Sequence, residues 1–255
     1  MRRPSGPYGR RTPSVRTVVR RLQKAYGKRP WEARGAARSP ALRDRPLDTL
    51  VLTLLSQNTT GKNTRAAFAR LRAAYRTWDA VADAPPARLA DAIRPAGLHH
   101  QKARHLQAIL RTIRRDRGRL SLNFLRRWPT DRVREFLSTL PGVGPKTAAC
   151  VLLFGLGRAV LPVDTHVCRV SRRLGLIDAR TDAEKAHVVL AEKVPADLVY
   201  GFHVLLIEHG RRVCRARRPN CPACVLERLC PSAPRKKGKR GGGSNFPCTA
   251  PTANL

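Results

Sequence analysis

The chain has 255 residues, enough for one compact domain or two small ones sharing an interface, and 42% of them are hydrophobic, enough for a packed core. Its 51 Lys and Arg against 17 Asp and Glu leave a formal charge of +34, a field that attracts polyanions and points to nucleic acid as the partner. The basic start, MRRPSGPYGRR, runs into no apolar segment, and no long apolar span or basic amphipathic anchor stands out, so no membrane partner and a cytoplasmic, nucleoid-associated location are expected.

Residues 1–12 are basic and rich in Pro and Gly, which predicts a disordered N-terminus. Residues 13–27 carry Val15, Val18, Val19 and Leu22 at helical spacing with a basic opposite face. Residues 28–46 read as loop. LDTLVLTLLSQNTT (47–60) is apolar nearly all round and predicts a buried helix, with Ser56 to Thr60 as a polar end that needs a reason. Thr60 is a suitable N-cap for an amphipathic helix over 60–75, and Pro at the first turn opens another over 86–94. Helices are predicted within 96–116 and over 129–140, 145–157 and 164–176, the last with Asp164 as N-cap. Thr181 and Glu184 have the capping-box spacing for a helix over 181–194, and residues 195–210 form a helix that closes at Gly210. No strand pair emerges, and VLPV (160–163) reads as a connector, so the class is all-α. Residues 233–255, with a basic run followed by Gly, Ser and Pro, are expected to be a disordered tail.

Chemistry concentrates in three places. LPGVGPKTA (140–148) joins two helices through Gly142, Val143 and Gly144. Glycines permit a tight turn and let backbone N–H groups approach an anion, and the next helix adds its own free N–H groups. On these residues alone, a phosphate clamp and an ordinary glycine turn are equally good readings. Val163-Asp164-Thr165-His166 follows eighteen positions after Lys146. Cys214, Cys221, Cys224 and Cys230 give C-x6-C-x2-C-x5-C, and four thiols so crowded point to a metal site; zinc and an iron–sulfur cluster both satisfy that chemistry. Cys150 and Cys168 lie on predicted helices among apolar residues and read as buried thiols, while Cys248 sits in the tail.

Together these strings resemble the endonuclease III family of helix-hairpin-helix DNA glycosylases, over roughly residues 13–231. The resemblance implies two helical lobes flanking a DNA-binding cleft. One lobe is a helical bundle over 39–158 that ends with the hairpin and Lys146. The other combines 13–38 with 159–232 and brings Asp164 and the cysteines. The resemblance makes Lys146 the nucleophile. A lysine attacks only as the free amine, which partial burial and a helix N-terminus favour. The amine attacks C1′, the base leaves, and the Schiff base then undergoes β-elimination, which breaks the strand 3′ to the abasic site. Asp164 is the companion carboxylate, placed to stabilise positive charge at C1′ or to take a proton, while also capping its helix.

The cysteine spacing resembles the family's cluster loop and implies a structural [4Fe–4S] cluster, with Arg215, Arg217 and Arg218 presented to DNA. A flipped base leaves a hole that the protein must fill. LLSQNTTG (54–61) and GLHHQKA (97–103) resemble the family's LLSAQATD and GLYNSKA, which makes Asn58, beside Gln57, and Leu98 the gap-filling residues. The competing readings are a helix C-cap for the Gln57–Asn58 pair and a core position for Leu98. His166 either contacts the DNA backbone or packs. The implied partner is double-stranded DNA with a damaged base or abasic site, bound by a monomer. Gly61, Pro145 and an added stretch around 121–129 depart from the family pattern and leave the family's oxidised pyrimidines open as the substrate. The rival activities are a monofunctional uracil or mismatched-thymine glycosylase, against which Lys146 argues, and a non-catalytic hairpin-containing DNA-binding protein, against which the Lys146–Asp164 spacing argues. An adenine glycosylase needs a carboxylate where residues 49–77 have none.

Overall fold

A computed structural model describes residues 12–27 and 45–234. Residues 1–11 and 235–255 of the expected disordered ends, most of the 28–46 loop and Cys248 lie outside the described residues, whereas Thr12, which donates to the Gly175 carbonyl, and the buried Ala233 belong to the fold. The described residues form helices joined by turns, without a strand. Two hydrophobic cores organise them.

The first core is built by α2 (Pro46–Leu55), α3 (Gly61–Ala74), α4 (Trp78–Ala82), α5 (Pro86–Ala92), α6 (His99–Arg117), α7 (Thr130–Ser138) and α8 (Pro145–Cys150). Leu50, Leu54, Leu106, Ile109 and Leu110 are fully buried there, as their all-round or 3.6-residue patterns require. The second core joins α1 (Val15–Tyr26) to α9 (Thr165–Arg173), α10 (Ala183–Lys193) and α11 (Val199–Arg212). The Val15, Val18, Val19 and Leu22 stripe of α1 is buried in it, so the start of the chain packs beside its C-terminal third. Leu153 belongs to this second core, although its neighbour Leu152 belongs to the first. The segment after α8 thus stitches the cores together. There the helix widens into a π turn over Val151–Gly155. A Cβ on Gly155 would stand 2.9 Å from the Cα of Pro46, so glycine is what lets α2 lie against this turn.

Several expected boundaries move, each for a local reason. The helix over 47–60 stops at Leu55, and Ser56 closes it by bonding back to the Thr53 carbonyl. Asp182, rather than Thr181, caps α10, accepting the Lys185 amide at 2.7 Å. The segment after Pro195 begins as a 3-10 turn and becomes α11 only at Val199. Gly210 does not end α11, which continues to Arg212. A Cβ there would meet His166 Nδ1 at 2.8 Å, so the glycine provides a close approach between α9 and α11. Helix α4 is absent from the sequence pattern because five residues are too few to show a period. The added stretch forms a 3-10 turn, Asn123–Arg127. Its Phe124 packs edge-on with Trp128 and Phe136 around the Arg117 guanidinium.

Candidate active site and cluster loop

The hairpin is a tight turn that only glycine permits at its first position. Gly142 has φ 73°, and a Cβ there would stand 2.6 Å from His105 Nδ1 on α6. Val143 is buried in the first core and its amide bonds to the Leu140 carbonyl, which anchors the turn from below. Gly144 is the extended N-cap of α8, and no side chain caps this helix. Lys146 leaves its first turn, half-buried.

Asp164 caps α9, with Oδ1 accepting the Val167 amide at 2.8 Å. That bond holds the carboxylate in place where the connector from the first core enters the second. Lys146 and Asp164 act on the same two buried groups. The Cys150 thiol, on α8, is pushed up to about 11 by burial, with Lys146 lowering it and Asp164 raising it. The His203 imidazole, on α11 and 4% exposed, is held down to about 4 by burial, with Asp164 raising it and Lys146 lowering it. The amine and the carboxylate therefore share a neighbourhood, although they come from different cores. His203 Nδ1 donates to the Pro162 carbonyl at 2.8 Å and braces the connector two residues before Asp164. Nothing in the sequence marks His203, because a lone histidine on an apolar helix reads as ordinary core.

The gap-filling candidates lie on two exposed tips. Asn58 has φ 51° and Leu98 has φ 47°, left-handed conformations that non-glycine residues rarely adopt. Asn58 is exposed, and Leu98 is 55% exposed, which removes the core reading of this leucine. Gln57 is turned inward: its Nε2 donates to the Gly142 carbonyl at 3.0 Å and to Thr147 Oγ1 at 3.3 Å, tying the first tip to the hairpin. Behind both tips lies Lys102, which the sequence presents only as one more cation. It is 3% exposed, and its ammonium donates to the carbonyls of Leu55, Gln57 and Ala96.

His166 is half-buried, and its Nδ1 accepts from Arg169 Nη2 at 3.0 Å. Arg169 also donates to the carbonyls of Gly210 and Cys214, so one guanidinium spans from the Asp164 helix to the first cysteine. Arg215, Arg217 and Arg218 are exposed on the loop that follows, with Arg218 at φ 50°.

All four cysteines of the loop are half-buried. The thiols of Cys224 and Cys230 are both pushed up to about 11 by burial, with a further push from the neighbouring sulfurs of the same loop. Donors face the sulfurs: the Leu226 amide reaches Cys224 Sγ at 3.4 Å and Arg173 reaches Cys214 Sγ at 3.3 Å. His209 Nε2 lies 3.5 Å from Cys224 Sγ, and its Nδ1 lies 2.7 Å from the Tyr26 hydroxyl. Four thiols in one loop, with N–H donors on Cys214 and Cys224, fit a cluster ligand set by donor chemistry. Among the described residues no group of three or more His, Cys, Asp or Glu side chains converges on a single ion position. None of the described helices is long and apolar enough to cross a membrane.

Comparison with known proteins agrees with this geometry. Residues 51–196 match the model of the HhH-GPD superfamily base excision DNA repair proteins. The chain is 38% identical over 195 residues to endonuclease III of Thermotoga maritima, covering 76% of this chain and 86% of that one. It is 41% identical over 174 residues to an Arabidopsis thaliana protein provisionally named a DNA glycosylase, covering 68% of this chain but spanning only 59% of that longer relative. The fold superposes on a trapped covalent endonuclease III–DNA intermediate with a TM-score of 0.69 and 29% identity, covering 86% of this chain and 95% of the other. With the hairpin, the two cores and the cysteine loop in place, the chain belongs to the endonuclease III family within the HhH-GPD superfamily of base-excision DNA-repair proteins.

Proposed function

We propose that this chain excises damaged bases from duplex DNA and cleaves the resulting abasic strand, with Lys146 as nucleophile and Asp164 as its carboxylate partner. The observation that carries this reading is the pairing of a lysine on the first turn behind a glycine hairpin with a helix-capping aspartate, both felt by the same buried His203. The lone pair of Lys146 Nζ forms a bond to C1′ as the N-glycosidic bond breaks, and the base departs with the electron pair of the broken bond and takes a proton from water. The fixed Asp164 carboxylate stabilises positive charge at C1′ and accepts the proton that Nζ gives up. Opening of the sugar ring yields a Schiff base between Nζ and C1′. Loss of a C2′ proton then expels the 3′-phosphate by β-elimination. The relative trapped covalently on DNA supports this class of chemistry.

The hairpin amides around Gly142, Val143 and Gly144 would hold a phosphate, His166 would lie near the backbone, and Asn58 and Leu98 would enter the space left by the flipped base. Oxidised pyrimidines are the proposed substrates, acted on by a monomer in the cytoplasm at the nucleoid. The two cores are the proposed domains: 39–158, and 13–38 with 159–232. Cys214, Cys221, Cys224 and Cys230 would hold a [4Fe–4S] cluster, which when bound ties the loop into the fold. That loop then presents Arg215, Arg217 and Arg218 to phosphates.

Borohydride reduction in the presence of an abasic-site duplex tests the chemistry. The expected outcome is a covalent protein–DNA band that Lys146→Ala abolishes. A band that persists in that variant moves the nucleophile elsewhere. A panel of thymine glycol, dihydrouracil, uracil and mismatched-thymine duplexes then identifies the excised base.

A further inference from the structure

Lys102 is a cation that the chemistry above does not use. It is 3% exposed, it lies on α6 one turn beyond Leu98, and no carboxylate among the described residues accompanies it. Burial lowers its affinity for a proton. Three carbonyls offset that effect: Leu55 at 2.9 Å, Gln57 at 2.6 Å and Ala96 at 2.8 Å. Leu55 is the last residue of α2, so the ammonium sits at the negative end of that helix, where a cation is favoured. The Gln57 carbonyl leads directly into Asn58, and the Ala96 carbonyl leads through Gly97 into Leu98. Asn58, Gly97 and Leu98 at these tips have positive φ. The Gln57 side chain then carries the connection onward to the Gly142 carbonyl and the hairpin.

We infer that Lys102 is a positioning residue that locks the Asn58 tip and the Leu98 tip to one another, and through Gln57 to the hairpin, so that the two tips enter a duplex as one rigid body. This rests on the function proposed above, because it concerns the elements that would fill the gap left by a flipped base. The physical reason is cost. Two non-glycine residues held left-handed relax if their flanking carbonyls are released, and a single ammonium with three donors holds carbonyls on both sides. A tip that must order itself while entering the duplex spends binding energy on ordering, whereas a pre-ordered pair does not.

The experiment compares wild type with Lys102→Met, which keeps the aliphatic stem and removes the three donors. In the full chain without DNA, amide hydrogen exchange is expected to rise tenfold or more at Ser56, Gln57, Ala96 and Gly97 together, while the amides of α9 are unchanged. Acceleration at one tip alone, or equally throughout the chain, overturns the inference. With DNA, single-turnover excision from a lesion duplex is expected to fall at least tenfold. Borohydride trapping on a single-stranded abasic oligonucleotide, which needs no gap filled, is expected to fall less than threefold. Equal losses in both assays overturn the inference. If wild type neither excises nor traps, the proposed function fails, while the exchange result still decides whether Lys102 couples the tips. Should Lys102→Met not fold, Lys102→Arg carries the same two comparisons, since it keeps the charge but presents a planar group to three carbonyls arranged for an ammonium.

Discussion

Asp164 caps α9 and carries the proposed catalytic role, and one substitution separates the two. Asn caps a helix about as well as Asp does, so Asp164→Asn keeps the Val167 bond and removes the charge. Its melting temperature is expected to match wild type, while single-turnover excision falls by roughly 10²- to 10⁴-fold, the usual scale for loss of a positioned acid–base group. Asp164→Ala is expected to lose the cap as well, at a cost of about 1 kcal/mol in chemical denaturation. An Asn variant as active as wild type would leave Asp164 with the capping role only. His203 makes a second prediction at this scale. It is buried neutral, with its folded pKa near 4 against about 6.5 in an unfolded chain. The unfolded chain therefore takes up the proton first. The stability that comes from keeping His203 neutral is complete above about pH 6.5 and is lost as pH falls toward 4, at up to roughly 1.4 kcal/mol per pH unit. Urea midpoints measured at pH 7.5 and pH 5 in wild type and His203→Gln check it: the variant should show the shallower fall.

Between elements, the informative contacts are those that bring backbones unusually close. Gly210 lets α11 approach His166 and Arg169 on α9, and Arg169 in turn holds the Cys214 carbonyl. A methyl group at position 210 pushes on both side chains. Gly210→Ala is expected to cost about 1–3 kcal/mol, the range for overpacking a tight contact, and to lower Tm measurably in a thermal scan. If the cysteine loop holds the proposed cluster, the substitution is also expected to weaken that cluster's visible absorption, because it disturbs the helix that leads into the first cysteine. Absorption equal to wild type would mean that the cysteine loop does not depend on the α9–α11 contact. The hairpin shows the same economy. Its glycine at 142 was legible from LPGVG, but the reason for it was not: the neighbour that excludes a side chain is His105, some 37 positions earlier in the chain.

For the whole molecule, the +34 charge dominates long-range behaviour. Binding to a duplex is expected to weaken linearly in log Kd against log salt, with a slope near 0.9 per phosphate neutralised, and the same slope on undamaged and lesion-bearing DNA marks the shared electrostatic part. Replacing Arg215, Arg217 and Arg218 together by Ala should lower that slope by about 2–3 if all three meet phosphates. An unchanged slope removes the cysteine loop from the interface.

Much of the fold was legible along the chain because helical periods are local. The stripe of α1, the buried run of α2, the caps Thr60 and Asp164 and the hairpin glycines are each written in neighbouring residues. The roles proposed for Lys146 and the four cysteines rest on spacing along the chain. What only the tertiary structure decided are the relations between distant segments. It pairs α1 with α11, and it gives Lys146 and Asp164 a common neighbour in His203. It turns Gln57 inward to the hairpin while leaving Asn58 and Leu98 exposed. It buries Lys102 against three carbonyls from two separate segments of the chain. A cation in a basic sequence carries no mark of whether it will meet a phosphate or a carbonyl, because that depends on which backbone groups the packing leaves unpaired around it, and packing is not a local property.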